Sequence, residues 1–145
     1  MTSRTASSTP VAAMAAITIA DKVARANEQV ESLTPDALAA ELATGGVVLV
    51  DLREPDERLQ HGTIPGAIHA PRGLLEFYAD PSCPLHRREL DPARRVVLFC
   101  TAGSRSALGA VALQELGYRS VAHLAGGMRA WKDSGRPIEE SWLRV

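Results

Sequence analysis

The stretch VVLFCTAGSRSALGA, Val96 to Ala110, decides how the rest of the chain is read. Its first half is a run of β-formers and its second half is rich in helix formers. Between them stand a cysteine, a few small polar residues and an arginine. An almost continuous apolar run suits a strand buried on both faces. A short loop from such a strand into a helix can curl so that successive backbone N–H groups face the cysteine sulfur, with Gly103 able to take a positive φ. Those donors and the helix dipole favour thiolate over thiol. Cys100 is therefore a candidate nucleophile, and Thr101, Ala102, Gly103, Ser104, Arg105 and Ser106 form its candidate cradle.

Outward from this loop the chain alternates. VVLVDL, from Val47, is a second buried run, and SVAHL, from Ser120, is a third. VESL and AIHAP are shorter extended pieces. PDERLQ, RGLLEFYA, RSALGAVALQEL and GGMRAWKDSG read as helices between them. Thr34 and Pro35 open another helix, with a side-chain oxygen to cap free N–H groups and a proline in the first turn; it runs through DALAAELA to Gly45 and Gly46. Strands alternating with helices predict an α/β fold with a mainly parallel sheet. In such sheets ligands bind beyond the carboxyl ends of the strands. Asp51 and Cys100 both stand at such ends, so they are candidates for one crevice. Asp51 suits a supporting role, accepting N–H or arginine bonds. Arg53 and Arg72 are candidate pocket residues, although solvation at the surface is the ordinary fate of each.

The chain has 145 residues, enough for one domain with its own core. MTSRTASSTP, residues 1–10, reads as a disordered tail. Residues 11–30 read as a helical extension whose apolar stripe, Ile19, Val23, Ala26 and Val30, packs on this domain or on a partner. Residues 31–145 form the main domain. VAAMAAITIA is too short to span a bilayer and lacks the flanking features of a signal peptide, so the expected location is cytoplasmic. Sixteen basic against seventeen acidic residues give a formal charge of −1, which favours neither nucleic acid nor an anionic membrane. Two cysteines in unlike contexts are not a disulfide framework. His61, His69, His86 and His123 show no ligand spacing, so no metal is expected. Cys83 lies in DPSCPLHRRELDPARR, the most loop-like segment; its bland role is a surface thiol, and its sharper one is a resolving thiol for Cys100.

CTAGSRS resembles the active-site loop of the single-domain rhodanese-like sulfurtransferases. LVDLREPDER with HGTIPGAIHAP resembles that family's upstream signature, and AHLAGGMRAWKDSGRPIE resembles its closing segment. The three occur in the family's order over about Val30 to Glu140. The resemblance implies a five-stranded, mainly parallel sheet flanked by helices on both faces, and persulfide chemistry at Cys100 without a cofactor. It implies a small-molecule sulfur donor, a thiophilic acceptor such as cyanide or a thiol, and room for a protein partner in a sulfur relay.

Four residues separate Cys100 from Arg105, one fewer than in dual-specificity phosphatases, and the tighter ring suits one sulfur better than a phosphate. Thr101 and Ala102 are neutral where thiosulfate-using members often carry cations, and Thr63 stands where histidine is common. Arg105 is expected either to bind an anionic donor or to brace the loop against Asp51 or Glu54, with bracing favoured. Gly126 and Gly127 read as a turn before MRAWKD rather than a phosphate site. The alternatives to a sulfurtransferase are a non-catalytic binding or sensing module and, behind it, a phosphatase-like or arsenate-reductase-like enzyme.

Overall fold

Residues 15–140 are described by the computed structural model. Within them, β1 (Glu31–Leu33), β2 (Val47–Asp51), β3 (Ile68–His69), β4 (Arg95–Phe99) and β5 (Ser120–Leu124) form one sheet. Its order is β1-β5-β4-β2-β3 and every pairing is parallel. Around it lie α1 (Ile19–Gln29), α2 (Pro35–Thr44), α3 (Pro55–His61), α4 (Leu75–Ala79), α5 (Ser104–Glu115) and α6 (Gly127–Asp133).

Successive side chains on a strand face opposite ways, and that alternation divides the apolar runs between two cores. Val48, Val50, Val96, Leu98 and Val121 share one core with residues of α4 and α5. Leu49, Val97, Phe99, Ala122 and Leu124 share the other with Leu38 of α2 and Met128 and Trp131 of α6. Helices therefore cover both faces, as expected from the sequence. Each large apolar side chain fully buried in these layers stabilises the fold by about 1.5–3 kcal/mol.

Local signals set the boundaries. Thr34 caps α2 by accepting from the Ala37 N–H at 3.1 Å, as its sequence context predicts. The N-terminal extension differs from expectation. The helix begins at Ile19 because Thr18 caps it, accepting from the Asp21 N–H at 3.0 Å, and residues 15–18 are not helical. Its stripe also divides: Ala26 and Val30 are buried, whereas Ile19 is 66% exposed. The expected tail, 1–10, and residues 11–14 of the expected helix lie outside the described residues. RGLLEFYA, expected as one helix, forms a 3-10 turn at Arg72–Leu74 followed by α4, consistent with Gly73 weakening the first turn. Among the described residues no helix is long and apolar enough to cross a membrane.

Candidate active site

Asp51, Cys100 and His123 stand at the carboxyl ends of β2, β4 and β5, three neighbouring strands. Cys100 follows the last residue of β4 and is 1% exposed. Gly103 takes φ +115°, a conformation L side chains rarely adopt, and so turns the chain into α5. The turn aims two backbone amides at the sulfur: Gly103 N–H donates to Cys100 Sγ at 3.2 Å and Ser106 N–H donates at 3.4 Å. Cys100 Sγ in turn donates to Ser106 Oγ at 3.6 Å. The sulfur is thus buried beside inward-facing amides at a helix start, not in an apolar interior.

On one side the loop is held by charge. Arg105 braces it, as favoured from the sequence, but the partner is Glu57 of α3 rather than Asp51 or Glu54. Its two terminal nitrogens donate to the two Glu57 oxygens at 2.7 and 2.9 Å, and Thr101 Oγ1 donates to Glu57 Oε2 at 2.9 Å. The hydrogen bond from Arg105 is the main reason the Glu57 carboxyl falls to about 2, with the Glu54 backbone N–H and Thr101 adding to it against burial. Arg105 is raised in return, first by Glu57 and to a smaller extent by the charge of Cys100.

None of the Asp51 side-chain hydrogen bonds goes to the cysteine loop. The buried carboxylate accepts from Arg53 Nε at 3.0 Å, from Arg53 Nη2 at 2.9 Å, from Arg58 Nε at 3.2 Å and from Thr63 Oγ1 at 2.8 Å. Arg53, a candidate pocket residue, lines an opening beside Thr101; it is 1% exposed rather than solvated, and it also donates to the Gly62 carbonyl at 2.6 Å. A buried guanidinium is tolerated because carboxylate and carbonyl together take its donors. Thr63 completes the Asp51 shell and pairs its backbone with that of Glu139. Arg72 lies elsewhere, in a cleft with Lys22 and Arg25 that has no residue of the loop on its walls; it donates to Glu76 at 2.7 Å.

From a third side the glycine pair clasps the loop. Met128 N–H donates to the Cys100 carbonyl at 2.7 Å and Arg129 N–H to the Thr101 carbonyl at 3.1 Å. A Cβ on Gly127 would collide with the Cys100 carbonyl oxygen and lie 2.6 Å from that of Thr101. The turn expected before MRAWKD therefore positions the cysteine strand end, a role that the glycine pair alone does not announce. Glu57 and His123 were likewise missed as site residues. For Glu57 the only hint is its place in REPDER.

Openings flank the loop on either side. One, of about 340 Å³, is lined by Val23 and Asn27 of α1 together with Gly103, Ser104 and His123. Another, of about 230 Å³, is lined by Thr101 with His61, Arg129 and Lys132. Cys83 is a partly buried free thiol in the 80–94 turns, not bridged to Cys100. Its neighbours His86 and Arg87 are engaged elsewhere, His86 with the Leu90 carbonyl and Arg87 with Glu89 and the His69 carbonyl. No group of side chains suited to a metal ion occurs among the described residues.

The family model described as the rhodanese-like domain matches residues 34–134. The chain belongs to the rhodanese-like family. A sulfurtransferase of Allochromatium vinosum is 36% identical to it over 110 residues, which is 75% of this chain and 94% of that protein. A putative sulfurtransferase of Bacillus subtilis is 34% identical over 89 residues, covering 61% of this chain and 77% of that one. Among solved structures, a Rhodopseudomonas palustris protein of unknown function, described as a possible tyrosine phosphatase, shares 38% identity at a TM-score of 0.81, covering 87% of this chain and 97% of its own. The human single-domain sulfurtransferase shares 26% identity at a TM-score of 0.63, covering 72% of this chain and 96% of its own. This rhodanese-like domain therefore has relatives named for sulfur transfer and one described as a possible phosphatase.

Proposed function

We propose that the protein is a sulfurtransferase that moves sulfane sulfur from a donor to a thiophilic acceptor through a persulfide on Cys100. The observation that carries this reading is the pair of amides, Gly103 N–H and Ser106 N–H, directed at Cys100 Sγ at 3.2 and 3.4 Å. Preorganised donors of this kind stabilise an anionic sulfur before and after transfer. The Cys100 thiolate attacks the outer sulfur of thiosulfate or of a persulfide, and the donor's S–S bond breaks. The leaving sulfite or thiolate departs with the electron pair, and Cys100 carries –S–S⁻. Cyanide or an acceptor thiolate then takes the outer sulfur, giving thiocyanate or a new persulfide, and the Cys100 thiolate returns. Every atom is accounted for without a metal or organic cofactor.

Arg105 is committed to Glu57, so donor recognition falls to other cations. Arg129 and Lys132 beside Thr101 suit an anionic donor and offset the neutral Thr101 and Ala102. A protein acceptor in a sulfur relay would approach the same face. The phosphatase reading is weaker because the arginine that would clamp a phosphate is held by a carboxylate.

Intact mass tests the reading. Incubation with thiosulfate, and separately with a glutathione persulfide, should add one sulfur atom that cyanide removes and that Cys100→Ser never acquires. No added sulfur from either donor, or turnover of p-nitrophenyl phosphate in its place, would overturn it.

A further inference from the structure

His123 is a buried imidazole with no part in the sulfur-transfer scheme above. It follows Ala122 on β5 and so faces the side of the sheet that Val121 faces, against α1 and the first turn of α5. Its Nδ1 lies 2.9 Å from Ser106 Oγ. Its Nε2 lies 3.1 Å from Asn27 Oδ1 and 3.2 Å from Ser32 Oγ. Ser106 Oγ is also the atom to which Cys100 Sγ donates. A continuous line of hydrogen bonds therefore runs from the cysteine sulfur through a serine and a histidine to the N-terminal helix.

The partners choose the tautomer. A side-chain amide oxygen only accepts, so the ring carries its hydrogen on Nε2 and donates to Asn27. In a neutral ring the Nδ1 lone pair is then free, and the Ser106 hydroxyl donates to it. The lone pairs of that hydroxyl are left facing the thiol; the Gly103 carbonyl, 3.1 Å away, is a second acceptor for the same hydroxyl.

We propose that His123 is a positioning residue that takes up the Cys100 proton through Ser106, and that Asn27 of α1, by fixing the ring's tautomer, makes the N-terminal helix part of the site. As the thiol hydrogen passes to Ser106 Oγ, the hydroxyl hydrogen of Ser106 passes to Nδ1. Thiol and imidazole become thiolate and imidazolium, with no net charge created and no co-reactant needed. The proposal deepens the sulfurtransferase reading and rests on Cys100 as its nucleophile.

Cys100 is the titratable group that this line of bonds reaches. On α1, Lys22 and Arg25 border the separate cleft beside Arg72, and Asp21 and Glu28 are exposed. On β1, Glu31 is held by Arg95, and on α5, Arg105 is held by Glu57. Burial lowers the His123 pKa, so the ring by itself stays neutral near pH 7. An imidazolium forms there only with an anion to face, and the thiolate is that anion.

The test follows both groups in the full chain and needs no sulfur donor. Proton NMR of the His123 ring across pH, in the wild type and in Cys100→Ser, reads the histidine. Ultraviolet thiolate absorbance, in the wild type, His123→Gln and Asn27→Ala, reads the cysteine. Two groups coupled in this way shift each other by about one pH unit or more. His123 should therefore lose its proton at higher pH in the wild type than in Cys100→Ser. By reciprocity the thiolate should form at higher pH in His123→Gln, and in the same direction but by less in Asn27→Ala. An identical His123 titration with and without the Cys100 sulfur would overturn the proposal, as would an unchanged thiolate transition in the variants. Should His123→Gln not fold, the Cys100→Ser and Asn27→Ala arms decide alone. Coupled titrations without persulfide loading would remove the sulfurtransferase reading and leave the relay, and the converse result would do the opposite.

Discussion

The cysteine loop is held differently on its two flanks. Toward α3 the contacts are ionic: Arg105 with Glu57, and behind them Asp51 with Arg53 and Arg58. Toward α1 and β5 they are neutral hydrogen bonds, Ser106 with His123 and His123 with Asn27 and Ser32. The difference suits a site that must hold an anion. In the proposed mechanism, charges locked in pairs fix the backbone and keep Arg105 on Glu57 rather than on the persulfide, and the neutral flank holds the proposed proton acceptor, His123.

Asp51→Ala should break the ionic flank most severely. It leaves Arg53, 1% exposed, without a carboxylate, and removing one partner of a buried pair costs about 3–5 kcal/mol. Urea unfolding at neutral pH measures it. A loss under about 1 kcal/mol would mean that the Gly62 carbonyl alone satisfies the guanidinium, and the ionic flank would then be a weaker anchor than the geometry implies.

Glu57→Gln sharpens the comparison through pH. The folded-state pKa of Glu57 is about 2 against an ordinary 4.5, so its ion pair adds stability that is complete above pH 4.5 and disappears as the pH falls toward 2. Because both partners are about a third exposed, solvent screening limits the contribution to about 1 kcal/mol at pH 7. Unfolding midpoints of wild type and variant should differ at pH 7 and converge in acid. The neutral flank predicts a separate limb at higher pH: burial lowers the His123 pKa below its ordinary 6.5, so the stability tied to its neutral ring is complete above that pH and is lost as the pH falls below it.

What the sequence made legible follows the reach of the interactions. The cysteine loop could be read because its decisive contacts join residues three and six apart, Gly103 and Ser106 to Cys100. The central strands were legible because burial on both faces leaves continuous apolar runs, and α2 because Thr34 and Pro35 mark its start. His123 was not legible as part of the site: its partners lie 17, 91 and 96 residues away, and only the closed sheet brings them together. Arg53 was legible as a candidate pocket residue, but its burial was not: solvation is the ordinary fate of an arginine, and nothing local reveals that the chain at Gly62 returns to cover it. The start of α1 was misjudged because VAAMAAI continues the apolar pattern past the threonine that ends it.

Arg72→Ala should have the smallest effect, and it tests whether the cleft beside α1 also supports the loop. Arg72 was a candidate for the pocket, but it bonds to Glu76 one helical turn away, and both side chains are partly exposed. Such i,i+4 pairs contribute about 0.3–0.5 kcal/mol, so the unfolding midpoint should barely move. Thiolate formation at Cys100 and sulfur loading should match the wild type, since the cleft that holds Arg72 shares no wall with the loop. That cleft does share α1 with the neutral flank, through Lys22, Ala26 and Gln29 on one side and Asn27 on the other. The cleft also borders α5 through Leu108 and Val111, so a shifted thiolate transition in Arg72→Ala would mean that α1 or α5 transmits strain from the cleft to the loop, making the neutral flank longer than the hydrogen bonds alone define it.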